Sequence, residues 1–139
     1  MGAWGTGSFA NDDAMDWVAE LEAAADARVL HEALVAVDLG EEDEEYLDAS
    51  AGSVALAAAE VVAALCGRPA ASLPPEVIAW VAAHPLRPDA ALVELAARAV
   101  AAVADDPARS ELRDLWDEAA AEDRDAWLAG AADLARRLA

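Results

Sequence analysis

The stretch "VALAAAEVVAALC" (Val54 to Cys66) is the longest apolar tract of the chain and contains a single charged residue, Glu60. Its composition predicts the body of a long helix from near Asp43 to Cys66, closed by Gly67. The apolar seam expected along this helix, at helical spacing, consists of Leu47, Ala51, Val54, Ala58, Val61 and Leu65. The tract is too short and too rich in alanine to span a bilayer.

Apolar residues recur at helical spacing on both sides of this tract, and the alternation typical of strands is absent. The other predicted helices run from Asn11 or Asp12 to about Ala25, from Asp26 to Gly40, around Val77 to Val81, from Asp89 to the "DDP" at 105–107, from Ser110, and from about Asp123 to the C-terminal residues. With 139 residues the chain fits one domain. We therefore expect residues 1–139 to form a single all-α domain of six or seven short helices.

Five tryptophans are distributed along this alanine-rich chain. Alanine lets helices approach closely but buries little apolar area, so the few large side chains must supply much of the core. The sequence therefore predicts that the tryptophans are buried anchors between the helices.

The chain carries 28 acidic residues and 9 basic residues, a net charge of −19, and every base is an arginine. Such a balance argues against nucleic acid and anionic membranes as partners, because both are bound through cationic side chains. It is compatible with a basic protein partner, and it would equally serve only to keep the protein in solution. The single cysteine, the absence of a secretory signal and the use of arginine without lysine favour a cytoplasmic bacterial protein.

The first seventeen residues, "MGAWGTGSFANDDAMDW", combine three glycines with large aromatic side chains and acids. We expect Gly5 and Gly7 to allow positive φ, so that the chain turns and packs Trp4 and Phe9 onto the helices. Asn11 and the acids after it would then lie in the first turn of a helix, where they are favourable.

This N-terminal pattern resembles the bacterial family catalogued as domain of unknown function 4259. The residues that carry the resemblance are Trp4, Gly5, Gly7, Phe9, Asn11, Asp12, Asp16 and Trp17. The later stretches "AAAEVVAAL" and "SELRDLW" are similar to the family as well. The resemblance implies an all-helical fold and indicates no reaction.

Two features allow a catalytic or metal site. Asp12, Asp16 and Glu20 share one helix face, and with Glu60 opposite them their oxygens could bind Mg²⁺ or Ca²⁺ and serve a hydrolase. Glu60 has apolar neighbours, so it is expected to be buried, either paired with an arginine or backbone amides, or acting as a catalytic acid with a raised pKa. His31 and His84 lack the partners that zinc requires, and the pattern indicates no cofactor.

The segment "DLGEEDEEYLD" (Asp38 to Asp48) holds seven acids and no base. It is either a solvated loop leading into a helix or a docking face for a basic partner. The candidate contact residues are Glu41, Glu42, Asp43, Glu44 and Glu45. The sequence as a whole favours a non-catalytic protein-binding module, for which immunity and antitoxin-type proteins are an analogy only. A hydrolase using Asp12, Asp16 and Glu60 and a self-associating structural protein are the alternatives.

Overall fold

The structure, a computed structural model, describes residues 5–38 and 46–139. This part of the chain folds into seven α-helices in one compact body, which confirms the all-α prediction. In chain order the helices are α1 (Asp12–Ala23), α2 (Arg28–Val35), α3 (Ala49–Leu65), α4 (Pro75–Ala83), α5 (Ala90–Ala104), α6 (Glu111–Asp117) and α7 (Ala121–Leu138). No described helix is both long enough and apolar enough to span a membrane.

The central element is α3, which contacts all six other helices. Every residue from 55 to 64 on it is buried, so α3 is enclosed on all sides rather than along the single predicted seam. Three members of that seam, Ala51, Val54 and Leu65, are only partly buried. The physical reason is the run of alanines, whose small side chains let neighbouring helices approach from several directions.

The predicted start of α3 near Asp43 is wrong, because the helix begins at Ala49. Residues 46–48 lead into it in extended form. The amide of Leu47 donates to the carbonyl of Arg109 over 2.8 Å, and the carbonyl of Leu47 accepts from the amide of Glu111 over 2.9 Å. The side chain of Asp48 then accepts from the amide of Ala51 and caps the helix. This pairing with the start of α6 takes the backbone out of helical geometry.

The end of α3 is as predicted. Gly67 has a φ of 83°, the left-handed conformation that glycine adopts without strain. The amide of Gly67 donates to the carbonyl of Ala64, and the amide of Arg68 donates to that of Ala63. These two bonds form a Schellman motif and direct the chain away from the helix.

The N-terminal segment packs on the helices without the positive φ angles expected of its glycines. Among the described residues Gly67 is the only glycine with positive φ, so that expectation for Gly5 and Gly7 is wrong. A Cβ on Gly5 would lie 3.1 Å from the Cβ of Ala10, so close approach explains its small size. Phe9 is partly buried against the core, and the side chain of Asn11 caps α1 by accepting from the amide of Ala14. Trp4 lies outside the described residues.

The four described tryptophans are buried, as expected of anchors. Trp116 of α6 and Trp127 of α7 stack with ring centroids 6.0 Å apart. The indole of Trp80 in α4 donates to the carbonyl of Ala24, just after α1. Each of these contacts joins elements that alanine alone would hold weakly.

Candidate functional site

The most distinctive polar group of the interior is Glu60, which lies in the middle of α3 with a relative exposure of 4%. Arg137, near the end of α7, reaches it with two parallel hydrogen bonds. Its Nη1 lies 3.1 Å from Oε2 of Glu60, and its Nη2 lies 3.0 Å from Oε1. The hydroxyl of Ser8, in the N-terminal segment, donates to the same Oε1 over 3.2 Å. Glu60 therefore joins three parts of the chain that are distant in sequence.

Arg137 is held in place by further acceptors. Its Nε donates to Asp133 over 2.8 Å, one turn earlier on α7, and its Nη1 also contacts the carbonyl of Arg68 at 3.3 Å. Burial lowers the pKa of Arg137, but the hydrogen bonds to Glu60 and Asp133 outweigh it, and the pKa is raised above its ordinary value. Arg68 in turn donates to the carbonyls of Arg137 and Ala139. The cation is thus permanently charged and fixed in orientation.

A cavity of about 470 Å³ opens over this ion pair, and we call it the Glu60 pocket. Its polar wall includes Ser8, Glu60, Asp133 and Arg137, while aromatic and apolar side chains such as Phe9 and Trp127 form much of the remainder. Two of the eight residues that carry the family resemblance, Gly7 and Phe9, thus line this pocket. The volume is within the range of small-molecule sites.

The chemistry of Glu60 in this arrangement is that of a structural ion pair. Its two oxygens accept three hydrogen bonds in total, two of them from a guanidinium that stabilises the carboxylate form. A proton donor or acceptor in catalysis needs a carboxyl free to exchange its proton with a substrate. The geometry therefore favours the structural interpretation of Glu60 over the catalytic one.

The carboxylates of the predicted metal site are not brought together. Asp12 and Asp16 are exposed on α1, whereas Glu60 is buried against Arg137. Within residues 5–38 and 46–139, no group of three or more His, Cys, Asp or Glu side chains is placed to hold a metal ion. The structure thus gives no support to a site formed by Asp12, Asp16 and Glu60.

A second feature is an acidic surface around Tyr46, which we call the Tyr46 surface and define by Tyr46, Glu111, Asp114 and Glu118. Tyr46 is 49% exposed although it is aromatic. Partial burial raises the pKa of Tyr46 above its ordinary value, as do the negative charges of Asp114 and Glu111, a side-chain hydrogen bond with Asp114 and, most weakly, the charge of Glu118. The phenol is neutral at physiological pH, as tyrosine ordinarily is, and its hydrogen bond with Asp114 holds it at this surface.

The backbone pairing of Leu47 with α6 positions this surface, because it fixes Tyr46 beside the first turns of α6. The carboxylate of Glu111 also accepts from the amide of Ala49 over 2.8 Å. The five candidate contact acids, Glu41, Glu42, Asp43, Glu44 and Glu45, lie outside the described residues. In the sequence, Glu45 directly precedes Tyr46.

Sequence reasoning missed the residues that complete both features. Arg137 stands near the end of the last predicted helix, where the helix dipole alone would favour a cation, and nothing local indicates a partner 77 residues away. Ser8 carries no signal beyond its place between glycine and phenylalanine. Tyr46 offered a usable signal, since it is the only tyrosine of the chain and stands within its most acidic segment.

Comparison with known proteins identifies the family. The family model described as domain of unknown function (DUF4259) matches residues 2–130. The chain therefore belongs to the DUF4259 family, and the predicted family assignment is confirmed. Asp133 and Arg137 lie beyond the matched range. No curated protein and no solved structure matches the chain significantly.

Proposed function

We propose that this member of the DUF4259 family is a non-catalytic protein-binding module that docks a basic protein partner through the Tyr46 surface. The observation that carries the proposal is the exposed tyrosine bordered by three carboxylates on a chain of net charge −19. Opposite charge accelerates encounter and fixes orientation, while an aromatic side chain supplies contact area.

The distribution of the arginines supports this proposal. Within the described residues, five of the nine arginines form ion pairs with carboxylates of the same chain: Arg98, Arg113, Arg124, Arg136 and Arg137. Their charges are thus partly neutralised within the fold, while acids outnumber bases by about three to one over the whole chain. A basic partner would supply the missing counter-charge.

Preorganisation favours the Tyr46 surface over the other exposed acids. Its backbone is fixed by two hydrogen bonds between residues 46–48 and the start of α6, so little additional ordering is needed on binding. Tyrosine is enriched among the residues that dominate interface energies. Asp16 and Glu20 are exposed acids on α1, and that helix carries no exposed tryptophan, tyrosine or phenylalanine, since its one such residue, Trp17, is buried.

The test uses an arginine-rich peptide as a probe and a variant of the full chain. We expect the triple variant Tyr46→Ala, Asp114→Asn, Glu118→Gln to bind the peptide at least tenfold more weakly than the wild type, measured by fluorescence anisotropy at low salt. The charge-matched control is Asp16→Asn, Glu20→Gln on α1, which should stay within about twofold, since it changes net charge equally.

The salt dependence and the control decide the outcome. Binding through the Tyr46 surface should weaken as ionic strength rises, because exposed charges are screened over about 10 Å at 0.1 M salt. Equal losses in the two variants would show that the peptide responds only to total charge. That result, or no binding to the wild type, would contradict the proposed docking surface.

A further inference from the structure

A second cavity lies between α2, α5 and the connection from α4 to α5, and we call it the α2–α5 groove. Its volume is about 690 Å³. On α2 the groove is lined by Arg28, His31 and Val35, which share one face of the helix at their spacing. No described residue lines both this groove and the Glu60 pocket, and the four residues of the Tyr46 surface are not among those that line the groove.

The charge of this groove is opposite to that of the molecule. Three of the nine arginines of the chain, Arg28, Arg87 and Arg98, line it together with one of the two histidines. Of the residues that the structure describes, two acids line it, and each already has a role. Asp38 forms two hydrogen bonds of 3.2 Å with Arg98, and Asp89 caps α5 by accepting from the amide of Leu92.

Within residues 5–38 and 46–139, Arg28 and Arg87 form no ion pair. Both are exposed, so their guanidinium groups can reorient toward a ligand. The N-terminal ends of α2 and α5 also border the groove, and the helix dipole favours negative charge there, as the carboxylates of Asp26 and Asp89 show by accepting from an amide at each end. A cationic rim is thus concentrated at one place on an otherwise acidic protein.

The rest of the lining is apolar. Leu92 and Leu95 from α5, Leu86 from the preceding connection and Leu65 from the end of α3 all contribute side chains. Val35 is 45% exposed, which is unusual for a large aliphatic side chain. Apolar surface left open to water beside cations is the pattern expected of a site for a ligand with an apolar body and an anionic head.

We propose that the α2–α5 groove binds a small amphipathic anion, an organic carboxylate with an aliphatic chain. Arg28 and Arg87 hold the carboxylate, since guanidinium groups match its two oxygens. The aliphatic chain lies over Leu65, Leu86 and Leu92, where it removes apolar surface from water. Arg98 stays paired with Asp38, so the carboxylate of the ligand is left to Arg28 and Arg87.

The experiment titrates the full chain with decanoate, below the concentration at which it forms micelles, by isothermal calorimetry. We expect saturable binding of one decanoate per chain. Arg28→Gln and Arg87→Gln should each weaken binding about tenfold, the loss expected for one charge-assisted contact. Arg124→Gln on α7 is the matched control, because it makes the same change in net charge away from the groove.

Two further ligands distinguish the contribution of the carboxylate from that of the aliphatic chain. Acetate should not bind measurably, because it lacks the aliphatic part, and decanol should bind equally to the wild type and to Arg28→Gln. Ala91→Trp places a large side chain on the groove wall and should abolish decanoate binding without changing the thermal unfolding of the protein.

Three results would overturn the proposal. One is no binding of decanoate to the wild type. Another is equal binding by the wild type, Arg28→Gln and Arg87→Gln. The third is binding that appears only after the acids at 41–45 are replaced by amides, since the occupant of the groove would then be the chain itself.

Discussion

Replacing Glu60 by glutamine tests whether the buried ion pair stabilises the fold. The amide keeps the size of the side chain but removes the charge, and it turns one hydrogen-bond donor toward the guanidinium of Arg137. Removing one partner of a buried ion pair costs about 3–5 kcal/mol. Arg137 keeps Asp133 at 2.8 Å and has 16% of its side chain exposed, so part of this cost is offset. We therefore expect a loss of about 2–3 kcal/mol in the free energy of unfolding, just below that range.

The assay is urea unfolding followed by tryptophan fluorescence. With a slope of about 1–3 kcal/mol per molar urea, the midpoint should fall by about 1–2 M. Ser8→Ala removes the third hydrogen bond to Glu60 and should cost about 1 kcal/mol. Glu20→Gln on α1 is the matched control for loss of an exposed charge and should stay within about 0.5 kcal/mol.

The reasoning also predicts a coupling. If the pair acts as a unit, the double variant Glu60→Gln, Arg137→Gln should be less destabilised than the sum of the single variants by about 1–3 kcal/mol. An unchanged midpoint for Glu60→Gln, with an unchanged slope, would refute the stabilising role of the pair. If Glu60→Gln unfolded like the wild type but had lost an enzymatic activity, that result would support the catalytic interpretation of Glu60.

Three further substitutions probe the packing and the charges. Trp116→Ala should lower the free energy of unfolding by about 3–5 kcal/mol, because the ring is buried and stacked. An unchanged urea midpoint would show that the ring does not stabilise the core. Gly52→Ala should lower the free energy of unfolding by about 1–3 kcal/mol, since the new Cβ would meet side chains of α5 and α6 at 3.3 and 3.4 Å. Gly130→Ala should raise it by up to about 1 kcal/mol, because its Cβ would meet nothing within 4 Å and alanine favours the helix. Melting temperatures that shift in the same direction for both glycines would contradict this. The hydrogen bond from Arg137 lowers the pKa of Asp133, and burial opposes this shift only in part. The ion pair therefore stabilises the fold above the ordinary pKa of an aspartate, and this stabilisation is lost as the pH falls through the lowered pKa of Asp133 in the folded protein. The difference in melting temperature between wild type and Asp133→Asn should be present at about pH 6 and should shrink as the pH falls through the lowered pKa of Asp133, and its persistence in strong acid would argue against the pair.

Local sequence signals were sufficient for most of the fold. The helix starts at Asn11, Asp89 and Ser110 were predictable because each of these side chains caps the following amides. The start of α3 was not predictable in the same way. Asp48 is a usable cap signal, but the extended conformation of Leu47 depends on hydrogen bonds to Arg109 and Glu111, and such contacts have no local signature.

The same distinction applies to the candidate sites. The burial of Glu60 followed from its apolar neighbours on α3, because a helix position surrounded by alanine and leucine faces other elements. The choice between arginine and backbone amides as its partner did not follow, since it depends on how α7 packs against α3. The α2–α5 groove could not be predicted for a related reason. Arg28 is far in sequence from Arg87 and Arg98, and the three line one cavity only because α2 packs on α5.

The residues that carry the family resemblance can be explained largely by folding. Asn11 caps α1, Trp17 is buried, Phe9 packs on the core, and a Cβ on Gly5 would be crowded by that of Ala10 at 3.1 Å. A ligand is not needed to account for these positions. The N-terminal pattern therefore indicates how the segment is fastened to the helices rather than what the protein binds. The binding proposals accordingly depend on surfaces outside that pattern, where charge and apolar area remain without partners inside the described part of the chain.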